Sequence, residues 1–134
     1  MSDNIFVDTN ILIYSIADDL RKRAIADDLL LNHNIVVSTQ VISEFIAVAL
    51  RKQILEPPKV IEYAKQFMQA FRVVLVTNAT ITSALDMMVK YRLAYWDSLI
   101  LAATLENVCP VIYSEDLQDG QQIENRLTII NPFA

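Results

Sequence analysis

The stretch Asn4-Ile5-Phe6-Val7-Asp8-Thr9-Asn10 passes from bulky apolar to small polar residues within a few positions. A short run of Ile, Phe and Val reads as a strand buried on both faces. Asp8 then falls at the strand's carboxyl end, where open α/β sheets keep their ligand sites. Near the other end of the chain Val111-Ile112-Tyr113 runs into Ser114-Glu115-Asp116 and repeats the pattern of apolar run, small polar residue and acid. Parallel strands of one sheet finish on the same side, so Asp116 is expected near Asp8, with Glu115 as its rival for that place and Asp119 a weaker one.

Between these two strands the chain alternates. Ile11 to Ile16 reads as a short helix, and Asp18 to Leu31 as a second whose apolar stripe is Leu20, Ala24, Leu30 and Leu31, with Arg21, Lys22 and Arg23 facing solvent. Asn32-His33-Asn34 is a turn, and Ile35-Val36-Val37 a β-branched strand. Ser38-Thr39 supplies the cap of a third helix reaching about Lys52. Glu56-Pro57-Pro58 opens a fourth, with an apolar stripe of Val60, Ala64, Phe67, Met68 and Phe71. Val73 to Val76 is a third strand. Thr77 or Asn78 caps a fifth helix to about Tyr91, with Asp86 on its exposed side, and a sixth, very apolar helix runs through about Asn107. Leu127 to Ile130 is a final strand. Strands alternating with helices predict a single domain, residues 1–134, with an α/β sandwich and a mainly parallel central sheet.

Two helical acids are out of place for solvated residues. Glu44 lies three residues after Val41 and four before Val48, so it shares their apolar stripe. An ionised carboxylate buried there needs a cation or a basic partner, and nothing in the sequence obliges a basic side chain to be near. Asp97 precedes Ile100 and Leu101 at the same spacings and opens the buried face of its helix. Complementing the helix dipole would account for Asp97 alone, but not for Glu44.

Taken together, Asp8, Glu44, Asp97 and Asp116 read as one site for a hard cation. Mg²⁺ and Mn²⁺ accept carboxylate oxygens and keep several waters, whereas zinc would want His or Cys. The chain has a single Cys, Cys109, and a single His, His33, which sits in a turn without a nearby nucleophile. A Ser-His-Asp triad is thereby disfavoured. With Gly120 as the only glycine, neither a dinucleotide fingerprint nor a phosphate-binding P-loop can form. An aspartyl phosphatase would want an acid where Asn10 stands, and a receiver domain more acids early in the chain. Bound metals of this kind can activate water and stabilise charge on a phosphoryl oxygen, singly or as a pair about 3.5–4 Å apart. Phosphodiester hydrolysis therefore needs no side-chain nucleophile here.

Bulk properties set the remaining bounds. A length of 134 residues with 54% hydrophobic content fits one domain with an ample core. The net charge of −5 argues against unaided, non-specific nucleic-acid binding. Arg21, Lys22, Arg23, Arg51, Lys52, Lys90 and Arg92 are the basic residues available for phosphate contacts, but their spacing encodes no base preference. The lone cysteine suits a reducing compartment, and the Met1-Ser2-Asp3-Asn4 start lacks the positive region of a signal peptide. A cytoplasmic protein is expected.

The ordered set of Phe6-Val7-Asp8-Thr9-Asn10, Ser43-Glu44, Tyr95-Trp96-Asp97-Ser98-Leu99-Ile100 with Ala102-Ala103, Tyr113-Ser114-Glu115-Asp116-Leu117-Gln118-Asp119-Gly120 and Asn131-Pro132-Phe133 resembles the PIN-domain ribonucleases. Within them it is similar to the VapC-like toxin branch of type II toxin–antitoxin systems. The resemblance implies a Rossmann-like, three-layer α/β/α fold and Mg²⁺- or Mn²⁺-dependent endoribonuclease activity. It implies metal binding by Asp8, Glu44, Asp97 and Asp116, the last at the family's most variable acid, with Thr9 and Ser114 in support and Asn10 matching the first motif. It also implies a homodimer, an RNA substrate, and an antitoxin whose C-terminal segment covers the site, often with a basic side chain reaching the acids. An RNA-processing nuclease without an antitoxin, and a non-catalytic module binding RNA or protein, are the competing readings.

Overall fold

The computed structural model describes residues 4–134, so the Met1-Ser2-Asp3 start discussed above lies outside it. In chain order the elements are β1 (Asn4–Val7), α1 (Thr9–Tyr14), α2 (Leu20–Asn32), β2 (Asn34–Ser38), α3 (Thr39–Arg51), α4 (Pro57–Ala70), β3 (Arg72–Val74), α5 (Asn78–Tyr91), α6 (Tyr95–Glu106), β4 (Val111–Tyr113), β5 (Gln122–Ile123) and β6 (Leu127–Ile130). They build one sheet in the order β3-β2-β1-β4-β6-β5, parallel except where β5 meets β6.

The strand order determines where a ligand can sit. From β1 the chain moves outward to β2 and β3, then returns to the other side of β1 to lay down β4. That reversal opens a crevice outside the carboxyl ends of β1 and β4, the switch point of a doubly wound sheet. Right-handed crossovers put the helices before and after the reversal on opposite faces, giving three layers. In keeping with this, α1 packs on α2 and α3, α3 on α4, and α5 on α6. Val7 registers with Tyr113, and the Asp8 amide donates to the Tyr113 carbonyl at 3.0 Å, so Asp8 and Ser114 leave the sheet side by side.

The core explains why these strands are so apolar. Phe6, Val7, Val36, Val37 and Ile112 are fully buried at the centre of the sheet, and α6 buries every residue from Ser98 to Thr104. A sheet covered on both faces leaves no polar alternation along its strands. Caps fix the helix starts. The Ser38 hydroxyl accepts from the Val41 amide, Pro57 and Pro58 occupy the first turn of α4, and Thr77 and Thr80 form a reciprocal capping box on α5. Among the described residues, no helix is long and apolar enough to cross a membrane.

Several local expectations need correction. The buried face of α2 is Ala26 and Leu29 with Ile25 and Leu30 beside them, whereas Leu20, Ala24 and Leu31 are exposed, Leu31 by 82%. Lys22 stands at the edge of the buried face, a turn before Ala26, and is only partly exposed. Its ammonium lies over the Tyr14 and Phe133 rings and pairs with Glu115. Met68 of α4 is half exposed and outside the core. Strand β3 ends at Val74, because Leu75 turns out to solvent and the Val76 amide is taken by the Thr39 hydroxyl. The β5–β6 hairpin has no counterpart in the sequence reading. Its turn places Glu124 and Asn125 at φ 53° and 54°, signs usually signalled by Asn-Gly, and the Tyr91 hydroxyl and Lys90 hold Glu124 there.

Candidate active site

Asp8 is only 6% exposed and caps α1, a position reached because β1 delivers it in extended conformation to the start of that helix. One carboxylate oxygen accepts from the Thr9 amide at 2.7 Å, the other from the Ser114 hydroxyl at 2.8 Å. Ser114 in turn accepts from the amides of Asp116 and Leu117, each at 3.2 Å, and so shapes the loop that carries Asp116. Asn10 bridges the same two loops. Its amide donates to Asp116 at 3.2 Å and its carbonyl accepts from the Glu115 amide.

Glu44 comes from α3, half buried between Val41 and Val48 as the spacing predicts. The Thr9 hydroxyl donates to it at 3.4 Å and the Gln40 amide at 3.2 Å. Gln40 also donates to the Trp96 carbonyl, which ties α3 to the first turn of α6 where Asp97 sits. Sequence reasoning passed over Gln40. The signal was available: a glutamine one helical turn before Glu44, on the same stripe. Its carbonyl oxygen is buried and, among the described residues, has no hydrogen-bond partner.

The electrostatics are one-sided. Burial pushes the Asp8 carboxyl up to about 6, against the pull of Ser114 and Thr9, and repulsion from Asp116 and Glu44 adds to the rise. Burial also raises Glu44, with Asp97 adding repulsion, and it raises Asp97, with Asp116 adding repulsion. Repulsion thus links Asp8, Glu44, Asp97 and Asp116 in a closed ring, and no cationic side chain contributes to any of these three shifts. The four acids line one cleft of about 420 Å³ together with Thr9 and Asn10. As positioned, no group of three or more His, Cys, Asp or Glu among the described residues is gathered tightly enough to hold a metal ion. Each acid except Asp97 instead takes a hydrogen bond from a neutral neighbour, as expected of like charges lacking a counter-ion.

The rivals for the strand-end acid are engaged elsewhere. Glu115 pairs with Lys22 and accepts from the Tyr14 hydroxyl at 2.6 Å, and although burial pushes it up, these contacts hold it below the ordinary glutamate value. Asp119 accepts from the Asn131 amide. Asp116 is exposed and faces the cleft. His33 is partly buried against the Tyr113 ring, away from the acids, and Asp86 is exposed as expected.

The same fold is found in solved structures. The chain is similar to a toxin–antitoxin complex from Klebsiella pneumoniae, with a TM-score of 0.71 and 18% identity over 96% of this chain and 97% of the other. It is similar to the Mycobacterium tuberculosis toxin VapC20, described as cleaving the sarcin–ricin loop, with a TM-score of 0.71 and 18% identity over 84% and 89%. DNA-bound VapBC from Salmonella typhimurium gives a TM-score of 0.67 and 17% identity over 96% and 97%. No curated protein matches the sequence. The model of the PIN domain matches residues 5–118, a span that holds all four acids, and the chain belongs to the PIN-domain family.

Proposed function

We propose that this protein is a metal-dependent endoribonuclease and the toxin of a type II toxin–antitoxin pair. The observation that carries the reading is the ring of acids at the switch point, three of them pushed up by burial and mutual repulsion and, among the described residues, without an ion pair to a basic side chain. A divalent cation supplies the missing positive charge, and an all-oxygen donor set suits Mg²⁺ or Mn²⁺. Asp8, Glu44, Asp97 and Asp116 are the residues to hold it. When bound, such an ion lowers the pKa of a coordinated water and stabilises charge on a phosphoryl oxygen.

The chain's own residues then have distinct tasks. Ser114 and the Thr9 amide hold Asp8 in a single orientation, Asn10 holds Asp116, and Thr9 with Gln40 holds Glu44. The cleft is wide enough for a phosphodiester with part of its flanking nucleotides, and its apolar wall includes Ile13, Val48 and Ile100. The partner assignment draws on the toxin–antitoxin complexes that share the fold. An antitoxin segment bringing a basic side chain to the acids would offset the same unbalanced charge. A second copy of the chain is the proposed cover for α5, where Ile81, Leu85 and Val89 stand exposed at helical spacing on one face.

One observation favours a non-catalytic binding module instead, namely that the acids as positioned do not already surround a single point. The deciding experiment is incubation of the purified protein, free of any partner, with structured and single-stranded RNAs in Mg²⁺, Mn²⁺ or EDTA, alongside Asp8→Asn. Cleavage that needs the metal and disappears in the variant supports the nuclease. Tight RNA binding without cleavage under any condition supports the module.

A further inference from the structure

Most of the basic side chains named as phosphate contacts are already occupied or point elsewhere. Lys22 pairs with Glu115, Lys90 with Glu124, and Arg21 donates to the Phe133 carbonyl. Arg23 lines a separate hollow beside Asp27 and Tyr63. Arg92 takes the left-handed conformation at the end of α5 and does not line the acid cleft. Arg51 and Lys52 differ from all of these. Both line the cleft that holds the four acids, both are exposed, and among the described residues neither side chain has a hydrogen bond or ion pair.

Their placement follows from α3. Gln40, Glu44, Val48 and Arg51 recur at spacings of four, four and three, so one face of the helix runs along the cleft. Seven residues separate Glu44 from Arg51, which at the rise of an α-helix is about 10 Å. Phosphates along one nucleic-acid strand are spaced by about 3.4 Å of helix axis, and by more where the strand is extended. With the two helix positions about 10 Å apart, a cation at Arg51 is placed to meet a neighbouring phosphate along the strand while the acids take the cleaved bond. The two charge systems of the cleft stay apart, acids without a cation and cations without an anion.

Resting on the nuclease reading, we propose that Arg51 and Lys52 are the substrate-positioning residues of the cleft, holding backbone phosphates of single-stranded RNA on one side of the cleaved bond. Contacts of this kind set register and carry no base preference. They also allow a chain of net charge −5 to hold a polyanion beside four carboxylates.

The test is the salt dependence of RNA binding, read by fluorescence anisotropy with a labelled, mixed-sequence, single-stranded oligoribonucleotide in Mg²⁺. Asp8→Asn serves as the non-cleaving background. Each phosphate contact contributes about 0.7 to the slope of log K against log salt for single strands. Arg51→Ala and Lys52→Ala should each lower the slope by about 0.7, and the pair by about 1.4, so that a fourfold rise in salt weakens binding about sevenfold less than before. Arg51→Lys should restore its share, and Lys65→Ala, an exposed cation outside the cleft, should leave the slope unchanged. Both target residues are exposed, and circular dichroism of each variant checks that the fold is kept. RNA bound with one slope by every variant overturns this inference and leaves the nuclease reading standing. RNA bound by none of them, with an acidic peptide bound in its place, overturns both.

Discussion

Asp8→Asn should make the metal-free protein more stable at neutral pH while removing a carboxylate on which the proposed activity depends. Asp8 is buried, and its carboxyl is pushed from 3.8 up to about 6, so the folded chain holds its proton more tightly than the unfolded chain does. Between those values the folded state binds more protons than the unfolded state, and stability falls as pH rises through that window before levelling off above it. A rise of about two units corresponds to roughly 3 kcal/mol of stability lost by neutral pH. Asparagine carries no charge and escapes that loss. It also keeps only one acceptor oxygen, so either the Thr9 amide or the Ser114 hydroxyl loses the acceptor it now has, an offset of about 1 kcal/mol. The net gain is about 2 kcal/mol, or about 6 °C in Tm for a domain of this size. Urea unfolding of both proteins in EDTA across the acid-to-neutral range measures it. The difference should be small near the ordinary aspartate pKa and grow to a plateau above about pH 6. Glu115 and Glu124, both lowered, titrate alike in the two proteins and drop out of the difference, which reports Asp8 together with its repulsion by Asp116 and Glu44. Adding Mg²⁺ should shrink it, since only the wild type gains from a tightly bound ion. A variant no more stable than wild type in EDTA, or a difference without pH dependence, would refute the assignment of Asp8 as an uncompensated buried acid.

Other expected outcomes follow from the same geometry. Mn²⁺ affinity should fall steeply as pH drops below about 6, because Asp8, Glu44 and Asp97 all hold protons more tightly than usual and the ion must displace them; a pH-independent affinity by titration calorimetry would contradict this. Gln40→Leu should leave the fold intact, since it also removes a buried carbonyl without a partner, yet weaken Mn²⁺ binding or RNA cleavage about tenfold by freeing Glu44 and unlinking α3 from Trp96. Val108 sits at φ 55°, costly for a β-branched residue, and is largely exposed, so Val108→Asn should stabilise the protein by about 1 kcal/mol in urea unfolding. The Cys109 thiol is buried and pushed up to about 11, and should react with a thiol reagent only as fast as the chain unfolds.

What was legible in the sequence was whatever follows from hydrophobic period and from acids that break it. Asp8 and Asp116 could be placed together because two strands carry the same ending, and Glu44 because a carboxylate interrupts an apolar stripe. The α2 face was misread because Lys22 shares it with Ala26 and Leu29, and a cation lying over aromatic rings looks, in sequence, like a solvated one. The β5–β6 hairpin escaped because Glu124 and Asn125 take positive φ with no glycine to announce it, under contacts from Lys90 and Tyr91 that are distant in sequence. The tie from Gln40 to Trp96 and the Glu115–Lys22–Tyr14 cluster depend on tertiary hydrogen bonds, and periodicity carries no information about those.

Asp8, Glu44, Asp97 and Asp116 are proposed to form one cation site. Titration of Mn²⁺ by calorimetry into the wild type and into Asp8→Asn, Glu44→Gln, Asp97→Asn and Asp116→Asn tests it directly. Saturable binding by the wild type is expected, with a loss of at least tenfold in affinity for each variant and circular dichroism unchanged. Absence of Mn²⁺ binding by the wild type, or binding that survives all four substitutions, would contradict it.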